Sequence, residues 1–523
     1  MRVSNTTSLP NTWQSAQLAE VATLVRGVTY KRDEAQNFPS EGYLPVLRAT
    51  NITGTGLTFE GVVFVPQSCV SMDQILVPGD VIIASSSGSK EVVGKAGQFL
   101  GGKFVGSFGA FCAAIRPSPH MQPDFLSYYF QSPNYRRAIS DISAGSNINN
   151  IKSSDLSEHL IPIPPVSEQV RIVAKLDELL SDLDSGVAEL RAAQRKLTQY
   201  RQSLLKAAVE GALTAEWRTK NPRTETGAQL LARILEQRRA RWQEKQLSRF
   251  KQQGKAAPKD WQSKYPEPVP PDAADLPALP KGWVWASLDM LGEIASGVAK
   301  GTKRDVDVQL REVPYLRVAN VQRGYLDLSE VKTIMATEKD IADLTLQTGD
   351  VLFNEGGDRD KLGRGWVWRD EVTGCIHQNH VFRMRPALPE MLPELISHHG
   401  NTFGKSWFQT AGKQTTNLAS INMTMLRMFP VPLGPAAEQR ELLSQLTLKL
   451  DALDRQAHAV EYSLKQSTAQ RKNILKAAFS GQLVPQNPAD EPASMLLDRI
   501  RAERATQAGK TTSRGRRMEA LPS

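Results

Sequence analysis

Two stretches of this chain place apolar residues at alternating spacings of four and three. The first runs Leu176, Leu180, Leu183, Val187, Leu190, Leu197, Leu204 and Ala208, and the second Leu446, Leu450, Leu453, Ala457, Val460, Leu464, Ile474 and Ala478. That spacing is the seam of a coiled coil, narrower than the stripe of an ordinary surface helix. Polar Gln194, Arg201, Ser467 and Arg471 fall on the same seam, and the two arginines imply a register device or local solvent exposure. Neither stretch contains proline, and each ends at a glycine, Gly211 or Gly481, suited to a left-handed C-terminal cap. Ser167 followed by Glu168 and Gln169 predicts a capped, acidic start for the first helix. At 1.5 Å per residue, roughly forty residues give a strut of about 60 Å.

Ahead of each seam the pattern changes to short apolar runs punctuated by Gly, Pro and Ser, such as 43–46, 61–65 and 80–84, which predicts strands of a mixed α+β unit. The two stretches of chain repeat each other. Residues 168–213 align with 438–483 without a gap, at an offset of 270. Pro10 and Trp13 answer to Pro280 and Trp283, Arg48 and Asn51 to Arg317 and Asn320, Gly79-Asp80-Val81 to Gly349-Asp350-Val351, and Arg116-Pro117 to Arg385-Pro386. Between these anchors the copies differ widely, as expected of one scaffold carrying two binding surfaces. Because the first helix leads from unit one to unit two and the second has only the way back, the simplest packing is antiparallel.

The expected boundaries are therefore a first globular unit at 1–165, a helix at 166–213, a connector at 214–282, a second unit at 283–436, a helix at 437–483, and a short helix with a disordered basic tail at 484–523. The connector contains a basic helical stretch, 228–250, and a proline-rich run, 265–271, that reads as an extended spacer. Leu496-Leu497 and Ile500 echo Leu230-Leu231 and Ile234, and the run 510–517 is basic without apolar pattern.

Charge and cysteine usage narrow the function classes. A net charge of +9 and a pI near 9.3 favour a polyanionic partner. Cys69, Cys112 and Cys375 are widely separated and belong to no metal-type cluster, which fits a reducing, cytoplasmic setting. No window approaches about eighteen consecutive apolar residues, and the N-terminal residues lack a signal-peptide core, so neither export nor a membrane association is expected.

Catalytic patterns are incomplete wherever they are met. The run 97–103 has the glycine and lysine spacing of a phosphate loop, yet Phe104 replaces the metal-holding Ser or Thr and 104–113 reads as a strand. His377 and His380 have no third ligand at useful spacing. Asn221-Pro222-Arg223 and Asn487-Pro488-Ala489 lack the aromatic residue of an amino-methyltransferase tetrapeptide, and no nucleophile elbow occurs. The sequence reads as a non-catalytic binder.

Two polar loops per unit are the candidate reading surfaces. In the first unit these are the stretch with Ser87, Lys90 and Lys95 and the stretch with Asn147, Asn149 and Lys152; in the second, Arg359, Lys361 and Arg364 precede Lys413 and Gln414. Arg and Lys suit guanine edges or phosphates, Asn and Gln suit adenine, and glycine permits close backbone approach. Arg48, Asn51, Arg317 and Asn320 either contact DNA or hold the fold together, since a motif present in both units is as readily architectural.

The order of unit, heptad helix, unit, heptad helix, with Pro162-Ile163-Pro164 and Pro430-Val431-Pro432 ahead of the Glu-Gln starts and Leu-Lys-Ala-Ala at 205–208 and 475–478, resembles the specificity subunits of type I restriction-modification systems. The resemblance covers about 13–483. It implies an α+β fold of two pseudo-two-fold-related target recognition domains joined by a long antiparallel two-helix coiled coil. It also implies that each domain reads half of a bipartite, asymmetric site in double-stranded DNA, with the coiled coil setting the spacer. By the same resemblance, two modification subunits carry S-adenosylmethionine and methylate adenine, restriction subunits supply the ATP- and Mg-dependent motor-nuclease, and this chain needs no cofactor. The competing reading is a coiled-coil adaptor that holds two protein partners apart without binding nucleic acid.

Overall fold

A computed structural model describes residues 9–518, apart from 54–55, 88, 90–91, 144–149, 223–224, 300–308, 358–361, 412 and 415–418; the side chains of 141–143, 357, 409–411, 413–414, 419 and 507–518 are also outside the description. The four long helices are α1 (Val166–Val209), α2 (Gly227–Gln252), α3 (Ala436–Ala478) and α4 (Ala493–Met518). The chain divides into two compact units, Met1–Arg191 with Glu461–Ser523 and Ala192–Val460, so each unit contains one half of α1 and one half of α3.

In the first unit a four-stranded antiparallel sheet carries the core. Its strands are β1 (Ala22–Arg26), β4 (Val81–Ala84), β5 (Ala96–Gln98) and β7 (Cys112–Pro117), in the order β1-β7-β4-β5. A second sheet pairs β2 (Tyr43–Leu47) antiparallel with β3 (Val63–Pro66) and parallel with β6 (Ser107–Phe108). β4 is buried along its whole length, which is why its sequence, Val-Ile-Ile-Ala, shows no alternation. The expected single strand at 104–113 is instead β6, a turn through Gly109-Ala110-Phe111, and β7.

The second unit repeats this plan with β8 (Gly292–Ser296), β9 (Leu310–Leu316), β10 (Lys332–Thr337), β11 (Val351–Asn354), β12 (Gly365–Val367), β13 (Ile376–His377) and β14 (Val381–Pro386). The sheet orders are β8-β14-β11-β12 and β10-β9-β13. Each globular part is closed by a two-strand neck: Gln14 pairs with Ile163 in one unit and Val284 with Leu433 in the other, the repeat equivalents of one another.

The heptad helices form as expected. Gly211 and Gly481 adopt φ of 66° and 73°, and the Ala212 N–H donates to the Ala207 carbonyl at 2.8 Å, the hydrogen bond of a left-handed cap. α1 begins one residue before Ser167, behind Pro165, so that serine lies inside the helix and is not its cap. Within the first unit, Leu176 and Leu180 of α1 share a core with Leu475 and Ala478 of α3; within the second, Leu204 and Ala208 pack with Leu446 and Leu453. Leu183, Val187 and Leu190 are only half-buried, as a two-stranded seam leaves them.

The seam arginines set the register. Arg471 bonds Asp184 across the helices in the first unit, and Arg201 bonds Asp454 at 2.7 Å in the second. The two pairs are repeat equivalents, so an antiparallel register fixed by one is matched by the other. Both are partly exposed, and their role is specificity of alignment more than stability.

Two expectations for the flanking segments are corrected. The proline-rich stretch is anchored: Val269 N–H donates to Asp289 at 3.1 Å, its carbonyl accepts from Ser287 Oγ at 2.5 Å, and Tyr265 is buried. The basic run at 510–517 is helical as the end of α4, because an amphipathic start at Leu496, Leu497 and Ile500 propagates through a stretch with no proline.

Candidate nucleic-acid interface

The repeated Gly-Asp-Val and Arg-Pro strings form one construction. Gly79 and Gly349 sit at φ of 94° and 93°, a left-handed turn that glycine adopts without strain. The next residue, Asp80, is wholly buried at the start of β4 and takes a bidentate contact from Arg116 of β7 at 2.8 Å for both oxygens. The Val77 N–H also donates to Asp80, and Arg116 reaches the Ile75 carbonyl. Asp350 and Arg385 repeat this arrangement at 2.7 Å. These pairs fix the strand from which the following loop emerges.

Asn51 and Asn320 are architectural. Each is 2% exposed; Asn51 Oδ1 accepts from the Arg48 N–H at 2.9 Å while its amide donates to the Thr58 and Glu60 carbonyls. Asn320 does the same with Arg317, Asp327 and Glu330. With donors and acceptor engaged inside the fold, neither presents an edge to a base.

Arg48 is different. Its guanidinium donates to the Gly61 carbonyl at 2.8 Å and lines an open cleft of about 1060 Å³ with Tyr30, Arg32, Asn37, Ser86 and Ser87. Burial holds the Tyr30 phenol above its ordinary range, with Arg48 opposing the shift. At the lip stands Phe111, 69% exposed, whose carbonyl accepts from the Ser85 and Ser86 N–H groups. Two arginines, hydroxyls, an amide and an exposed ring make a surface able to hold phosphates and read base edges. Sequence reasoning located Arg48 and Ser87 but missed Tyr30, Arg32, Asn37 and Phe111. The signal for Phe111 was a large apolar residue in a glycine turn where the other copy has a histidine.

The equivalent surface of the second unit carries other chemistry. His380 occupies the place of Phe111, and its Nδ1 lies 2.7 Å from Glu355. Gln378 and Asn379 stand beside it, half-buried. Arg317 is ion-paired with Glu330 at 3.0 Å, and Arg364 donates to Gln322 at 2.6 Å. Buried His377, beneath this surface, shares 2.6 Å with the Val381 carbonyl, and burial drives its pKa down to about 4. Among the described residues no group of His, Cys, Asp and Glu is arranged to hold a metal ion.

The remaining candidates lie apart. Lys152 is exposed at the start of a short helix, its N–H bonded to Asp155 at 3.0 Å, and Lys95 is half-buried in the turn before β5. Lys413 and Gln414 fall on a two-residue strand paired with Ala419–Ser420. Lys90, Asn147, Asn149, Arg359 and Lys361 lie outside the described residues.

One repeat-equivalent position holds a junction that sequence alone left as a helix start. Glu168 is buried and accepts from Trp13 Nε1 at 3.0 Å and Gln486 Nε2 at 2.6 Å. Glu438 instead accepts from Thr214 Oγ1 at 2.7 Å and Arg218 Nη2 at 2.6 Å. Each carboxylate ties its neck to the cap of the helix returning beside it.

A family model described as type I restriction modification DNA specificity domain matches residues 10–189. Across nearly the whole chain, the sequence is 32% identical to the type I restriction enzyme EcoKI specificity subunit of Escherichia coli strain K12, over 97% of this chain and 98% of that protein. The chain belongs to the type I restriction specificity-subunit family. The StySPI specificity subunit of Salmonella potsdam is 30% identical over 98% of this chain and 99% of its own length. A solved chain from work on complex assembly and conformational transition of the type I R-M system has the same fold, with a TM-score of 0.62 at 17% identity over 91% of this chain and all of that one. As a member of this family the chain has an α+β fold of two recognition domains with long heptad helices. No described helix is long and apolar enough to cross a membrane.

Proposed function

We propose that this chain is the DNA-reading subunit of a type I restriction-modification complex, with each globular unit recognising one half of a bipartite, asymmetric site. The observation that carries this reading is sameness of scaffold with difference of surface. The neck pairing, the buried Asp-Arg pair and the Asn staple recur residue for residue, whereas Phe111 and Arg48 line the cleft of the first unit and His380 pairs with Glu355 on the equivalent surface of the second. An adaptor would have no need of two unlike polar surfaces on a common frame. The heptad helices act as the spacer between half-sites.

In this reading the chain is non-catalytic and works in the cytoplasm. Two modification subunits bring S-adenosylmethionine and methylate adenine, and restriction subunits bring the ATP- and Mg-dependent nuclease. Co-purification with its modification subunit, followed by selection of bound duplexes from a random pool, tests the proposal. A two-part motif whose binding weakens with salt is expected, and binding without sequence preference would refute it.

A further inference from the structure

The connector carries most of this chain's net positive charge. Residues 227–264 hold ten Lys and Arg against three Asp and Glu, a net +7 out of the chain's +9. As far as Lys245, α2 uses its cations in the fold: Leu230 and Ile234 are buried in the second unit's core, Arg238 bonds Asp289 at 3.2 Å, Arg239 bonds Glu267 at 2.9 Å, and Lys245 bonds Glu293 at 3.4 Å. Beyond Lys245 the pattern stops. Arg249, Lys251, Lys255, Lys259 and Lys264 are exposed and make no ion pair among the described residues, and Asp260 is the one acidic residue of 246–264.

This basic end is held in shape. Gly254 at φ 64° reverses the chain, the Lys255 N–H donates to the Phe250 carbonyl at 3.0 Å, and Trp261 folds back to stack on Trp242 at 5.8 Å and meet Phe250 at 6.0 Å. The rings are thereby spent on one another. Among described residues of 227–264, Leu247 is the one large apolar side chain left exposed, so the tip lacks the buried aromatic anchors a protein interface depends on. The basic end also recurs: α4, with 26 residues like α2, has Lys510, Arg514, Arg516 and Arg517 in its last turns.

We infer that the tip of α2, with the segment clasped to it, is a DNA phosphate-backbone contact separate from the two candidate reading surfaces. The inference rests on the proposal that this chain binds DNA. Lysine ammonium groups act as point charges that neutralise phosphates without reading bases, so the contact adds affinity and not selectivity.

The test uses the full-length chain co-purified with its modification subunit and a variant carrying Arg249→Gln, Lys251→Gln, Lys255→Gln, Lys259→Gln and Lys264→Gln. A charge-keeping variant, with the four lysines as Arg and Arg249→Lys, serves as control. Affinity is measured against salt on a duplex with the selected site and on a scrambled duplex. The neutral variant is expected to bind both duplexes more weakly by the same factor, with the slope of log K on log salt reduced by about 0.9 for each phosphate that is no longer neutralised, while the control keeps the slope. An unchanged slope with normal site preference overturns this inference alone. A neutral variant that binds DNA normally but no longer co-purifies with the modification subunit also overturns it, in favour of a protein dock. A wild-type complex with no site preference overturns the underlying proposal instead.

Discussion

Replacing Asp80 with Ala removes a carboxylate that is wholly buried and accepts two hydrogen bonds from Arg116 and one from the Val77 N–H, which together constrain the Gly79 turn. Breaking a buried ion pair by deleting one partner costs roughly 3–5 kcal/mol. The Arg116 side chain is 28% exposed and can recover some solvation, so the lower end, about 3 kcal/mol, applies. For a unit of this size that corresponds to a fall in melting temperature of about 6–12 °C. The destabilisation should be confined to the first unit, with hydrogen exchange accelerating in β4 and β7 while β11 and β14 keep their protection. The double variant Asp80→Leu, Arg116→Met removes both charges together and should regain most of the stability. Urea unfolding of the three proteins checks this. A cost below about 1 kcal/mol for the single variant, or a double variant less stable than the single, would refute the role assigned to the pair.

Other consequences are separately measurable. His377 and His399 are buried with pKa pushed down to about 4, so the unfolded state takes up protons first as pH falls from about 6.5; the second unit should lose stability over that window, each histidine by about 3 kcal/mol at most. His399→Phe, at the position where the first unit has Tyr129, should flatten that dependence in unfolding experiments at pH 7, 6 and 5. Burial raises the Glu168 pKa above 4.5, so its ionisation opposes folding and stability declines as pH rises through that region. Relative to Glu168→Gln, the wild-type chain should therefore lose stability as pH rises above about 4.5 in urea titrations. Reversing one seam pair with Arg471→Asp should cost no more than about 1 kcal/mol, and adding Asp184→Arg should restore it, as a double-mutant cycle would record.

What could be read from the sequence is what depends on nearby residues. The seam spacing and the terminal glycines report helix period and cap within a few residues, and both helices end where Gly211 and Gly481 require. The repeat also exposed the anchors, but not their meaning: Asp80 and Arg116 are 36 residues apart in sequence, and no local pattern pairs them. Asn51 remained open for the same reason, since its amide is satisfied by carbonyls seven and nine residues on. Glu168 looked like an acidic first turn, whereas its partners Trp13 and Gln486 are 155 and 318 residues distant. Phe111 was hidden by the expectation of a continuous strand, because an exposed aromatic at a turn and a buried one in a strand look alike in an apolar run.

The two necks at Gln14–Ile163 and Val284–Leu433 define interchangeable cassettes, and exchanging them addresses the central claim most directly. A chain in which residues 284–433 also replace 14–163 should direct methylation by the modification subunits to a symmetric site made of two copies of the second half-site, with the original spacer, in the methylome of a host carrying the system. Methylation that still follows the original asymmetric site would contradict the assignment of one half-site to each unit.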